Sequence, residues 1–466
     1  MNRTPLRVAV VGHTNTGKTS LLRTLTRDDA FGEVSDRPAT TRDVRGVALL
    51  AGDETIVELF DTPGLEDAPG VAQTLAQQPP DPDPVAAIER FLAGDHGHGR
   101  YEQEAKVLRQ LLRSDAALYV IDAREPVRNK HREELRLLAA CGRPVLPVLN
   151  FLDSAEADTA AWKTQLARLG LHLSADFDTV VYDAQAERQL FDKLAALVEP
   201  RRADLERLQR DRAQMRAHTI ESACRLVAGL LADAGGARVR GAPDAPPEAL
   251  ATRLQDRVRQ AEQRCVDALL GLFRFDMGAH APPALPLHDG RWALDPFDPE
   301  ALRRYGIRTG SAAAAGGMAG LAVDSMTGFA SLGAAAAIGA GLGAAWSTAR
   351  TFGQPWLDRA RGYQALALDE ATLALLAGRQ LQLLRALLRR GHASTAPLAP
   401  NDGGNGWPSA AVRRATLRLR AMPECSSLNE VDGSAHAAPP LAPLTDALLA
   451  VVNASPMSSQ PRSVSS

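Results

Sequence analysis

Short apolar runs of strand length recur along the first part of the chain, at residues 7–11, 47–50, 56–60, 117–121, 144–149 and 179–182. Most are continuously apolar, the pattern of strands buried on both faces. Helical periodicity over residues 104–113, 131–140 and 160–169 separates the later runs. The alternation predicts an α/β domain, a mostly parallel sheet with helices on both faces, over residues 1–198. Between Glu66 and Tyr101 the pattern lapses into Pro, Asp and Gly, as in residues 77–84 and 94–99, and a long mobile loop is expected. His96 and His98 lie there without a third ligand in reach and read as solvated loop residues.

Beyond residue 199 the period becomes helical. Residues 202–234 begin with Leu205, Leu208 and Met215 among many charges and end with Ile220, Cys224, Val227 and Leu231. A second helix is expected over 247–273 and a Leu-rich amphipathic one over 355–390. These define an all-α domain, 199–392. The tail, 393–466, is rich in Pro, Gly, Ser and Ala and is expected to be mostly disordered apart from a short helix at 410–421.

A chain of 466 residues exceeds one core, in keeping with this division. A net charge of −2 argues against a strongly basic nucleic-acid surface. Cys141, Cys224, Cys265 and Cys425 form no CxxC pair, so neither a zinc site nor a disulfide framework is suggested. The chain runs almost directly into its first strand, which leaves no room for a signal peptide, and the cytoplasm is the expected compartment.

The first strand leads into Gly12-His-Thr-Asn-Thr-Gly-Lys-Thr19, a GxxxxGK[ST] loop, and then into a helix start at Ser20. Glycines let the main chain wrap phosphate oxygens, and the helix N-terminus turns its amides toward them. Gly12, Asn15, Thr16, Gly17, Lys18, Thr19 and Ser20 are therefore the expected phosphate contacts, Lys18 as a compact charge and Thr19 as a hydroxyl for Mg²⁺. Farther on, Pro38-Ala-Thr-Thr-Arg-Asp43 offers Thr41 as a second Mg²⁺ ligand, with Arg37 and Arg42 nearby. Asp61-Thr-Pro-Gly64 offers Asp61 to hold Mg²⁺ through water and the Gly64 amide to meet a γ-phosphate. Both loops would lose their anchor when that phosphate leaves, which makes a switch. Asn150-Phe-Leu-Asp153 matches NxxD of the base-reading motif NKxD: the Asp153 carboxylate can accept the ring N–H and exocyclic amine of guanine, favouring GTP over ATP. Phe151 replaces the usual lysine, and an aromatic ring can stack instead. The last base-side element, normally Ser-Ala-Lys, is only Asp183-Ala-Gln185, centred on Ala184.

Over residues 5–198 these motifs resemble the Era and TrmE branch of translation-factor-related P-loop GTPases, and residues 34–44 resemble the GTTRD signature of the tRNA-modification GTPases. The whole chain resembles a bacterial group that joins such a G domain to a C-terminal domain of unknown function with a Gly/Ala-rich stretch. The resemblance implies a GTP/GDP-binding domain with Mg²⁺ that hydrolyses GTP. Leu65 stands where many small GTPases place a water-orienting glutamine. In potassium-dependent TrmE relatives, an asparagine at the position of Asn15 coordinates K⁺ and offsets charge developing between the β- and γ-phosphates. Asn15 capping the loop by hydrogen bonding is the other reading. The same relatives place a water-orienting glutamate where this chain has Asp67, with Glu66 beside it as the alternative.

Residues 310–345 are mainly Ala, Gly, Ser and Thr with scattered Met318, Leu321, Val323, Met326, Phe329, Leu332, Ile338 and Leu342, and Asp324 is the one charge. As a single helix they would span about 54 Å, longer than a membrane core of about 30 Å. A hairpin bent near Thr327-Gly328 is expected, its Gly316/Gly320 and Gly339/Gly343 pairs permitting close helix approach. Such a hairpin would enter the inner face of the cell membrane, pack inside a soluble helical domain, or form a self-association surface. The expected function is a GTPase switch coupled to a protein partner or a membrane. Its alternatives are a nucleotide-binding scaffold with negligible hydrolysis, or an RNA-linked GTPase by analogy alone, since no RNA-binding signature is evident. Relatives often dimerise through their G domains, which no residue here demonstrates.

Overall fold

Along the first strand, β1 (Leu6–Val11), Leu6, Val8 and Val10 enter one apolar core while Ala9 and Val11 enter another. Side chains alternate along a strand, so β1 is covered on both faces. The computed structural model describes residues 4–26, 44–79, 82–179, 183–242, 246–273, 286–307, 321–323, 364–388, 406–430 and 436–454. They fall into two units, Met1–Arg216 and Ala217–Ser466.

In the first unit β1 is joined by β2 (Arg45–Ala51), β3 (Glu54–Asp61), β4 (Ala116–Asp122), β5 (Val145–Asn150) and β6 (Ala175–Asp176) in the order β2-β3-β1-β4-β5-β6. β2 is antiparallel to β3 and the other pairs are parallel. Leu21, Leu22 and Leu25 of α1 (Lys18–Thr26) cover the Val8 face. They are joined there by Leu190, Phe191 and Leu194 of a helix at Ala184–Leu197. The opposite face is covered by α2 (Ala68–Ala76), α3 (Pro84–Ala93), α4 (Glu102–Leu112), α5 (Asn129–Ala140) and α6 (Thr159–Arg168). The helix at Ala184–Leu197 is α7. β1 lies between β3 and β4, and the chain leaves it toward opposite sides of the sheet. The carboxyl end of β1 is thus the switch point, where ligands of such sheets bind.

Two expectations change here. The strand that follows β5 in the sheet is at Ala175–Asp176, where none was expected; of the run expected at 179–182, Thr179 is in a bend and 180–182 lie outside the described residues. The expected mobile loop after Glu66 contains α2 and α3, because Asp67 and Asp83 cap their first turns at the Gly70 and Val85 amides. Pro69 and Pro84 follow in those turns, where a missing N–H costs nothing. Val71, Ile88 and Phe91 then anchor them in the core.

A 35-residue helix, α8 (Arg202–Gly236), gives Leu205 and Leu208 to the first unit's core and Ala223, Cys224, Val227 and Leu231 to the second's. The second unit is helical, as expected, with α9 (Pro247–Leu272) and a helix at Glu370–Leu388. It also holds two small sheets that the pattern did not signal. One is β7 (Val239–Gly241) with β10 (Leu321–Val323) and β11 (Gln364–Leu368) in the antiparallel order β10-β11-β7. The other is a hairpin of β8 (Leu287–His288) and β9 (Arg291–Trp292), turned by Asp289-Gly290 with positive φ at both.

The expected amphipathic helix over 355–390 is shorter and is preceded by β11; residues 373–384 are buried all round, so it is a core helix. In the tail the expected short helix is found at Ala410–Arg420, and a second, not expected, at Ala442–Asn453; with Trp407 they bury Val412, Leu419, Leu444 and Leu448 in the same core. Of the Gly/Ala stretch only Leu321–Val323 is described, as strand rather than helix. The rest of the proposed hairpin lies outside the described residues. No helix among the described residues is long and apolar enough to cross a membrane.

Candidate functional site

Four strand ends converge at the switch point: Gly12 follows β1, and Asp61, Asp122 and Asn150 end β3, β4 and β5. The loop after β1 needs its glycines. Gly12 (φ +146°) leaves no room for a Cβ, which would sit 2.5 Å from the Val120 carbonyl oxygen, and Gly17 has φ +92°. Asn15 is an exposed residue in the left-handed region (φ +64°), a conformation asparagine tolerates.

Lys18 is buried, and its ammonium donates to the Gly12 and His13 carbonyls at 3.2 and 2.6 Å. Burial lowers its pKa to about 8, against the pull of Asp61, Glu134 and Glu66. The Thr19 hydroxyl donates to Asp61 Oδ2 at 2.6 Å. The other oxygen, Oδ1, is buried without a hydrogen bond among the described residues. Burial raises the Asp61 pKa, opposed by Thr19 and Lys18. An oriented hydroxyl beside a desolvated carboxylate with an unused oxygen fits a hard divalent cation such as Mg²⁺. The other expected ligand, Thr41, lies outside the described residues, as do Arg37 and Arg42.

The Asp61 turn folds back on the phosphate loop. The Thr62 hydroxyl donates to the Val10 carbonyl at 2.8 Å, and a Cβ on Gly64 would lie 2.2 Å from Thr14 Oγ1. The Leu65 side chain is buried in the core, so no side chain at that position can orient water. Glu66 accepts from the Thr14 hydroxyl at 3.0 Å. Asp67 instead caps α2 and pairs with Arg100 at 3.3 Å. The structure thus separates the two carboxylates that sequence placed together.

On the base side, Asn150 is fully buried and acts as a clamp. Its amide donates to the Thr16 carbonyl at 2.9 Å, and its oxygen accepts from the Phe151 and Thr179 amides, each at 2.9 Å. Phe151 is held in the left-handed region at φ +59°. Its ring carries the Arg124 guanidinium at 4.0 Å, itself fixed by Asp122 through two hydrogen bonds of 2.9 and 2.7 Å. Asp153 is exposed on the same loop, whose Leu152 amide donates to Asp178 at 2.8 Å. Ala184 opens α7 behind the cap of Asp183 on the Gln185 amide. Sequence reasoning missed Thr179, Arg124 and His13. An Asp-Ala-Arg step at the end of β4 was the available signal for Arg124; a backbone partner such as Thr179 leaves none.

A cavity beside the phosphate loop is lined by His13, Thr16, Tyr119, Asp122, His131 and Trp162, with room for about one water.

Comparison with known proteins follows the same division. The family described as "Domain of unknown function (DUF3482)" matches residues 163–440, and that described as "50S ribosome-binding GTPase" matches residues 7–151. GTPase Der of Xanthomonas axonopodis pv. citri is 30% identical over 190 residues, 40% of this chain and 32% of Der. The tRNA modification GTPase MnmE of Synechococcus elongatus is 38% identical over 76 residues, 16% of each chain. A crystal structure of Aquifex aeolicus Era bound to GDP·AlF₄⁻ is 23% identical over 37% of this chain and 50% of that one, with a TM-score of 0.27. The chain spans at most about a third of the length of these curated relatives.

Proposed function

The chain belongs to the family described as "Domain of unknown function (DUF3482)", its N-terminal part being an Era/TrmE-like P-loop GTPase domain, and on that premise we propose that it is a Mg²⁺-dependent GTP-hydrolysing switch. The observation that carries this reading is the Thr19 hydroxyl 2.6 Å from Asp61 beside buried Lys18, at the mouth of a phosphate loop on the switch point. Gly12, Asn15, Thr16, Gly17, Lys18, Thr19 and Ser20 receive the phosphates. Thr19, Asp61 and Thr41 hold Mg²⁺, which supplies charge compensation on the phosphates. Asp153 reads guanine, with Asn150, Phe151 and Ala184 shaping its pocket.

For hydrolysis, Asn15 holds a potassium ion and Glu66, rather than Asp67, orients water. Exposure of Asn15 on the loop and the Thr14–Glu66 hydrogen bond support this assignment; Asp67 is engaged as a cap. The second unit reports the nucleotide state to a protein partner or a membrane surface. The buried Leu65 favours one competing reading, a nucleotide-binding scaffold with negligible turnover.

Purified full-length chain assayed with GTP and ATP, in K⁺ and in Na⁺, separates these. We expect Mg²⁺-dependent turnover of GTP, several-fold faster in K⁺, lost in Lys18→Ala and made indifferent to the cation in Asn15→Ala. Equal rates in K⁺ and Na⁺ remove the cation role, preference for ATP removes the base assignment, and binding without single-turnover cleavage establishes the scaffold.

A further inference from the structure

Residues 64–66 are stitched to residues 12–14 by contacts that need no nucleotide. The Leu65 amide donates to the Gly12 carbonyl at 3.1 Å, and the Leu65 carbonyl lies 2.7 Å from His13 Nδ1. On the next residues, Gly64 presses on Thr14 and the Thr14 hydroxyl donates to Glu66. His13 ties this paired segment to the sheet and α5. Its Nδ1 is also 3.1 Å from Glu134 Oε1, a buried carboxylate whose Oε2 accepts the Tyr119 hydroxyl at 2.6 Å. A carbonyl and a carboxylate both accept, so Nδ1 must carry the proton.

The consequence follows from where Leu65 points. Its side chain is sunk in the core, so at this position only the backbone faces the phosphate loop. That backbone also carries Gly64, whose amide is the group expected to meet the γ-phosphate. Catalysis is sensitive to displacements of about 1 Å, worth roughly 100-fold in rate.

We propose that His13 is a positioning residue for GTP hydrolysis: its Nδ1–H, braced by Glu134 and Tyr119, fixes the Leu65 carbonyl and so sets Gly64 against the phosphate loop. The role rests on the GTPase reading above. It differs from a general packing role in depending on one ring nitrogen.

The test compares His13→Ala, His13→Asn and His13→Gln in the full-length chain, with GTP as substrate. The asparagine amide nitrogen reaches the place of Nδ1, whereas that of glutamine reaches the place of Nε2. His13→Ala is expected to lower kcat by about 10- to 100-fold with KM changed less than about threefold. His13→Asn should recover most of kcat and His13→Gln little of it. Equal kcat in the asparagine and glutamine variants, or a change confined to KM, overturns the proposal. Should His13→Ala lose its far-ultraviolet circular dichroism, the asparagine–glutamine comparison still decides. A wild-type chain that binds GTP without cleaving it fails the GTPase reading itself, and the positioning role falls with it; active wild type with unaffected variants sinks only the positioning role.

Discussion

Lys18 illustrates what burial does to a single side chain. Held between two carbonyls and pushed down to about 8, its ammonium is only half protonated near that pH in the free protein. A triphosphate restores the charge. Nucleotide binding at pH 8 is therefore expected to take up about half a proton at Lys18, falling toward zero at pH 6. Calorimetry in two buffers of different ionisation enthalpy reads this directly, and uptake that does not decline toward pH 6 would count against it. At this scale much was legible in advance, because Gly12, Gly17, Lys18, Thr19, Asp61 and Asn150 occupy fixed spacings whose chemistry is set by residue type. Asn150 was expected among the base-side residues beside Asp153, and its three hydrogen bonds are all to backbone groups. Such bonds leave no trace in spacing. The two carboxylates of Glu66 and Asp67 could not be told apart for a related reason: one residue's difference decides between the loop and a helix cap.

Elements were legible where periodicity is strong and obscure where composition misleads. The strands β1 to β5 stood out as continuous apolar runs. The segment holding α2 and α3 did not, since Pro and Asp signal both loops and helix starts, and only the buried Val71, Ile88 and Phe91 decide between them. The helix at Glu370–Leu388 hides a different feature. Buried Arg379 lies 3.3 Å from Glu262 of α9, its guanidinium 4.5 Å from the Trp292 ring, while Gln380 donates to the same carboxylate. Burial wins over these partners and lifts Glu262 to about 6. A raised carboxyl pKa means that the folded state holds the proton more tightly. Its contribution is thus full below about pH 4.5 and is lost as pH rises through about 6, up to roughly 2 kcal/mol. Glu262→Gln should flatten this decline; urea midpoints of both proteins at pH 4.5 and 7 give the difference, and parallel slopes would refute it.

At the scale of the whole molecule, the second unit's core is assembled from segments far apart in sequence. Trp407 donates to Glu370 at 3.1 Å, Asn429 accepts from the Arg238 amide at 2.6 Å, and the Ser426 hydroxyl donates to the Asp233 carbonyl at 2.7 Å. Side chains from residues 406–430 and 436–454 thus contribute to the core, which the Pro- and Ala-rich sequence around them concealed. Removing residues 396–466 uncovers the surfaces that Trp407, Leu444 and Leu448 fill, each worth about 1.5–3 kcal/mol when buried. A truncated chain is expected to lose several kcal/mol and to aggregate; an unchanged urea midpoint and soluble yield would show the tail to be dispensable.

The same arrangement bears on how the chain is made. The leucine-rich helix at Glu370–Leu388 is buried nearly all round, and the helix at Ala442–Asn453 that helps to cover it ends about 65 residues later. Ribosomes add roughly 5–20 residues per second, so this leucine-rich surface waits some 3–13 s for its cover. During that interval the leucines of the nascent second unit stay in water, whereas the first unit, complete by Arg216, has already had time to close around its phosphate loop.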